Sequence, residues 1–152
     1  MLADTKSEPD SDSSKLGRYR ALKTIQEQGL TAFTESFIKT AIAPSTQAER
    51  SQVFEQAKRI AKANNPIGVS LALLALTSRT DTTPGLRKIR IPTLVMQGEF
   101  DSVIPMVAAR SLHEKIKGSE FFVVPRAGHL SNLENPEAFN GRLVQFISGL
   151  KR

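Results

Sequence analysis

The apolar positions of this chain change their period once, after Lys88. Before that point they recur at helical spacing. Leu16, Tyr19, Leu22 and Ile25 form one stripe, which predicts a helix from about Ser13 or Ser14 to a stop at Gly29. Phe33, Phe37, Ile38 and Ala41 predict a second helix from about Thr31. A third is expected from Thr46-x-x-Glu49, a capping box in which hydroxyl and carboxylate each take one orphan backbone N–H. Its stripe is Val53, Phe54, Ala57, Ile60 and Ala61. A fourth opens at Asn65-Pro66, a cap and first-turn pair. Val69, Leu71, Leu73, Leu74 and Leu76 spread apolar surface over a wide arc, so this helix is expected to be largely buried. Asp81–Gly85 reads as a loop.

Beyond Lys88 the pattern becomes mixed. Ile91–Met96 is a short apolar run ending at Gly98, with Pro92 where a strand tolerates it. An almost unbroken apolar strand predicts a parallel sheet covered on both faces. A helix is expected from about Pro105 to Ile116, with Met106, Ala109, Leu112 and Ile116 facing inward and Gly118 closing it. A second strand, Glu120–Val124, ends at Pro125, and a last helix opens at Asn135-Pro136. Phe139, Leu143, Phe146, Ile147 and Leu150 give that helix its apolar face. Strand, helix, strand, helix is a βαβα unit, so the fold class is α/β.

Composition narrows the chemistry. A chain of 152 residues, 39% hydrophobic and 24% charged, predicts one globular domain and excludes wholesale disorder or a fibrous repeat. No apolar run approaches the roughly 18 residues of a membrane span, and the acidic N-terminus MLADTKSEPDSDSSK is not expected to be a leader. The absence of Cys removes disulfides, thiolate metal sites and a Cys nucleophile, and fits a reducing, cytoplasmic location. His113 and His129 are the only histidines, and there is no phosphate-cradling Gly loop. Neither metal nor cofactor is therefore expected. The net charge is +6, but its basic residues are scattered. The one compact cluster, Arg87-Lys88-x-Arg90, has no interleaved aromatics, which favours solvated surface over nucleic-acid binding.

In parallel α/β sheets, functional groups gather at the carboxyl ends of the strands. The first strand exits into Gly98-Glu99-Phe100-Asp101, and the second into Arg126-Ala127-Gly128-His129-Leu130-Ser131. Neighbouring strands would set Asp101 beside His129. The carboxylate would fix the imidazole tautomer and leave the other ring nitrogen free as a base. His113, next to Glu114 and Lys115, reads as solvent-facing, and Glu134 as a charge in a helix's first turn.

Residues 91–150 resemble the C-terminal part of an α/β-hydrolase. The resemblance rests on Ile91–Met96, Gly98-x-x-Asp101 with Pro105, Phe121–Val124, Gly128-His129, and Glu134-Asn135-Pro136-Glu137-Ala138-Phe139. Leu2-Ala3-Asp4-Thr5 looks like the end of the sixth strand of that fold, and residues 13–80 like its helical cap. The likeness is greatest to esterase- and lactonase-type members. It implies a partial hydrolase fold: a strand end and connector over 1–12, a cap over 13–86, and a βαβα core portion over 87–152. It also implies that Asp101 and His129 are acid and base of a Ser-His-Asp triad. Phe33, Phe37 and Leu73 would line the acyl pocket, with Leu130 beside the histidine.

One part of the pattern is missing. The family's nucleophile sits in a G-x-S-x-G elbow between a strand and a helix, and no such motif occurs here. Gly68-Val69-Ser70-Leu71-Ala72 imitates it inside a helical pattern and is not expected to serve. The chain alone is therefore expected to be inactive. Its expected partners are an N-terminal hydrolase half or another copy of itself and, when complemented, a small ester or lactone. The alternative is a non-catalytic binding or oligomerisation module descended from a hydrolase.

Overall fold

The computed structural model describes residues 1–150. In chain order the elements are β1 (Leu2–Ala3), α1 (Asp12–Ala41), α2 (Pro44–Glu49), α3 (Ser51–Lys62), α4 (Pro66–Thr77) and α5 (Thr83–Leu86). They continue as β2 (Leu94–Gly98), α6 (Met106–Lys115), β3 (Glu120–Val124), α7 (Ser131–Glu134) and α8 (Pro136–Gly149). The strands form one parallel sheet in the order β1-β2-β3, with Leu2 opposite Val95 and Val95 opposite Phe121.

The period-two alternation of β2 divides the core. Leu94 and Met96 point into a cluster with Val124, Phe139 and Phe146, so α8 covers that face. Val95 points into a cluster with Ala109, Leu112 and Ile116, so α6 covers the other. All five β2 residues are buried, as the apolar run predicts.

The helical segment departs from the sequence reading in several places. Ser11 rather than Ser13 or Ser14 caps α1, accepting from the Ser14 N–H at 3.2 Å. Gly29 does not end the run but kinks it, at φ 83° and ψ 167°, a conformation closed to other residues without strain. The expected capping box does not form. Pro44 opens α2, and Arg50, at φ −133°, breaks it from α3. The Thr46 hydroxyl is committed elsewhere, donating to Glu134 Oε2 at 2.9 Å, while Glu49 is exposed.

Asn65 caps α4 as its sequence predicts, accepting from Ile67 and Gly68. The expected burial of α4 fails on one side. Leu73 is 7% exposed against Ile25 and Leu30, whereas Ile67 is 70% and Leu71 60% exposed. Only the edge facing α1 finds apolar partners among the described residues. Asp81–Gly85 is partly a helical turn, because Asp81 Oδ1 accepts from the Thr83 N–H and Leu86 anchors α5 in the core. On α8, Asn135 caps the first turn, but Ile147 and Leu150 are exposed rather than packed.

Candidate active site

Both loops of interest leave the same edge of the sheet and are held together by one main-chain bond and one from main chain to side chain. Phe100 N–H donates to Ala127 O at 2.8 Å, and Arg126 N–H to Glu99 Oε2 at 2.9 Å. The approach requires glycine at position 98, and the packing of the second loop on the end of α1 requires it at 128. A Cβ at Gly98 would meet Gly128 O at 2.0 Å, and one at Gly128 would meet Ala41 O at 2.5 Å.

This stitching brings Asp101 and His129 together, with His129 Nδ1 2.9 Å from Asp101 Oδ2. Asp101 is held from all sides. Its Oδ1 accepts the N–H groups of Val103 and Ile104 at 2.8 and 2.9 Å. Its Oδ2 also accepts from Gln97 Nε2 at 2.6 Å, and that amide donates again to Ile104 O. The Asp101 side chain is 1% exposed and that of His129 22%. His129 Nε2 has no partner among the described residues. Burial pushes the His129 pKa down, but the bond to Asp101 and the charges of Asp101, Asp4 and Glu134 outweigh it, so the pKa lies above the usual 6.5.

Two further carboxylates complete the arrangement. Asp4, just after β1 at φ 47°, accepts from Gly98 N–H at 2.8 Å and Ser131 Oγ at 2.5 Å. Burial raises its pKa, against those two hydrogen bonds and with help from the Asp101 charge. Glu134 lies in the first turn of α7, as expected, and is fully buried there. Its Oε1 accepts the Gly128 N–H, and its Oε2 accepts from Ala43 N–H and Thr46 Oγ1, each at 2.9 Å. Its carbonyl accepts from Arg50, and the His129 N–H donates to Ala41 O at 2.7 Å. The histidine loop is thereby tied to the end of α1 and the start of α2.

Gln97, Asp4 and Glu134 were not singled out from the sequence as site residues. A signal existed for Gln97, since a glutamine closing an apolar strand must find buried partners. For Glu134 none did, because its donors lie up to 91 residues away.

Phe33, Phe37 and Leu73 line one cavity of about 840 Å³, with the two rings stacked at 5.7 Å. Ser102 and Val103 form part of its wall, so it reaches the Asp101 loop. Leu130 does not line it. It packs instead against Ile38, Ile42 and Ala57, drawn there by the apolar base of the helical segment. Ser70 sits inside α4 with its hydroxyl donating to Pro66 O at 2.9 Å. His113 is half-buried rather than solvent-facing, because it stacks on Phe121 at 5.6 Å and bonds Ser119. Among the described residues no three His, Asp or Glu side chains converge as a metal site, and no helix is long and apolar enough to cross a membrane.

Residues 9–136 match the family model for the alpha/beta hydrolase fold. The chain belongs to the α/β-hydrolase fold family. It is similar to 3-oxoadipate enol-lactonase 2 of Acinetobacter baylyi, 29% identical over 132 residues, 84% of this chain and 49% of that protein. It is also similar to the pimeloyl-[acyl-carrier protein] methyl ester esterase of Vibrio cholerae, 26% identical over 91% of this chain and 58% of that one. Among solved α/β-hydrolase structures, a thermophilic esterase from Thermogutta terrifontis superimposes with a TM-score of 0.89 at 31% identity, covering 97% of this chain and 54% of that one. The chain thus spans about half the length of these α/β-hydrolase relatives.

Proposed function

We propose that Asp101 and His129 are the acid and base of a Ser-His-Asp triad in an esterase- or lactonase-type hydrolase, with the serine supplied by a hydrolase segment outside these 152 residues. The observation that carries the reading is the 2.9 Å contact between Asp101 Oδ2 and His129 Nδ1, with Nε2 left free. Nδ1–H donates to the carboxylate, which fixes the tautomer that presents Nε2 as a base. Nε2 takes the serine proton as Oγ attacks the carbonyl carbon. It then returns that proton to the leaving alcohol as the acyl–oxygen bond breaks, a water deprotonated by the same Nε2 releases the acid from the serine, and Asp101 stabilises each imidazolium. The surrounding carboxylates support the same role, since they favour the cation that this proton transfer creates.

The nature of the similar esterase and enol-lactonase supports an ester or lactone as substrate, and the Cys-free composition supports a reducing, cytoplasmic setting. The chain by itself is expected to show no hydrolysis above background, because His129 has no elbow serine to deprotonate. Mixing it with an N-terminal α/β-hydrolase segment that carries G-x-S-x-G tests this. Hydrolysis of p-nitrophenyl acetate should appear only in the mixture. His129→Ala should lower kcat by about 10²–10⁴-fold. Turnover indifferent to that substitution would remove the triad reading and leave a non-catalytic binding module.

A further inference from the structure

We infer that the cavity beside the Asp101 loop selects an ester or lactone bearing a carboxylate, which it holds through Arg18 and Arg20. This deepens the hydrolytic reading above and rests on it. The walls supplied by Phe33, Phe37, Val69 and Leu73 are apolar, and the charged side chains in the lining are two arginines, with no Asp or Glu in the lining itself.

The Arg18 site is built rather than incidental. Its Nε donates to Asp10 Oδ2 at 2.6 Å, and the Asp10 side chain is only 1% exposed. Lys6 Nζ lies 3.0 Å from the other oxygen of the same carboxylate. One anion therefore faces two cations, and the Lys6–Asp10–Arg18 group keeps one positive charge. The bond through Nε fixes the guanidinium and leaves its two terminal nitrogens without partners among the described residues. These are the nitrogens that a carboxylate engages side by side. Arg20 lines the same cavity, and its guanidinium has no hydrogen-bond or ion-pair partner among the described residues.

Position gives the ligand a direction. Ser102 and Val103 also line the cavity, and the Val103 N–H binds Asp101 Oδ1. A ligand with its acyl carbonyl toward the Asp101 loop would lay its methylenes along the phenylalanines and place its carboxylate toward α1. A fixed cation among apolar walls interacts more strongly than one in open water, and its prior immobilisation reduces the ordering cost of binding.

Calorimetric titration of the full chain with monomethyl adipate and with dimethyl adipate tests the inference. The two probes differ in one negative charge and share the apolar linker. The monoanion should bind about tenfold more tightly, a difference that shrinks as salt is added. Arg20→Gln should narrow the gap severalfold. The triple variant Asp10→Asn, Arg18→Gln and Arg20→Gln, which removes both lining guanidinium groups without stranding a buried carboxylate, should abolish it while leaving dimethyl adipate affinity and the circular dichroism spectrum unchanged. Equal affinity for the two probes, a gap that survives both variants, or binding of neither probe would overturn the inference. The two readings fail separately. Selective binding of the monoanion by a complemented protein that hydrolyses no ester removes the hydrolase reading and keeps the site. Hydrolysis of charged and neutral esters with equal KM does the reverse.

Discussion

His129 is the residue whose protonation joins stability to activity. Burial alone would keep its imidazole neutral, but Asp101 and the more distant carboxylates of Asp4 and Glu134 reverse that preference. Its folded pKa therefore lies above the usual 6.5, and its contribution to stability is fully present below 6.5. That contribution is lost as pH rises through the folded value. Asp4 works in the opposite direction over a different range. Its raised pKa means that folding is disfavoured progressively as pH rises from 3.8 to the folded value. Asp101→Asn removes the bond and the nearest charge while leaving the burial. In an NMR titration its His129 resonances should move at lower pH than those of the parent chain. In a complemented hydrolase, the parent's activity should rise with pH as His129 loses its proton. A His129 midpoint unmoved by Asp101→Asn would mean that the pair does not share a proton-linked bond. With two histidines in the chain, the spectrum is simple to assign.

Glu134 shows how the elements are fastened to one another. Its two oxygens accept from Gly128, Ala43 and Thr46, so one buried side chain ties the β3 exit loop to the junction of α1 and α2. Its removal would strand three buried donors, each costing about 1–3 kcal/mol, and the loss should reach about 3 kcal/mol or more. In urea melts, Glu134→Ala should unfold well before the parent. Glu137→Ala, at an exposed position in the next helix, should change stability by about 0.5 kcal/mol at most. Equal midpoints for the two variants would contradict the clasp. The contrast between these two glutamates also marks what was legible in the sequence. The helix starts at Asn65-Pro66 and Asn135-Pro136 were readable because the capping side chain and the N–H groups it accepts from lie within three residues. The burial of β2 on both faces was readable because Leu94, Val95 and Met96 belong to an almost unbroken apolar run. Thr46 was misread as a cap because its acceptor lies 88 residues away, a pairing that local pattern does not encode. The Asp101–His129 pair was anticipated despite a 28-residue separation, because parallel strand order brings successive carboxyl ends to one edge.

For the molecule as a whole, the uncovered surfaces are as informative as the core. Among the described residues β1 has a neighbour on one side only, since the sheet runs β1-β2-β3. α4 exposes Ile67 and Leu71, and α8 exposes Val144 and Ile147. An open parallel edge is a template for further pairing, and exposed apolar residues mark surface that a partner can cover. An α/β-hydrolase segment that supplies a strand beside β1 would satisfy this edge, and the same segment would bring the elbow serine to His129. Structure and catalysis would then depend on a single association. Titrating such a segment into the chain should raise its melting temperature, because a partner that binds only the folded state stabilises it by mass action, by about 2.7 kcal/mol at a hundredfold excess over Kd. Ester hydrolysis should grow along the same curve. Without the segment, sedimentation should show self-association that increases with protein concentration, and the added segment should suppress it. Rescue of stability without hydrolysis would separate the edge from the chemistry and favour the binding-module reading. A chain that stays monomeric at high concentration and ignores the segment would show that the β1 edge is not a docking strand.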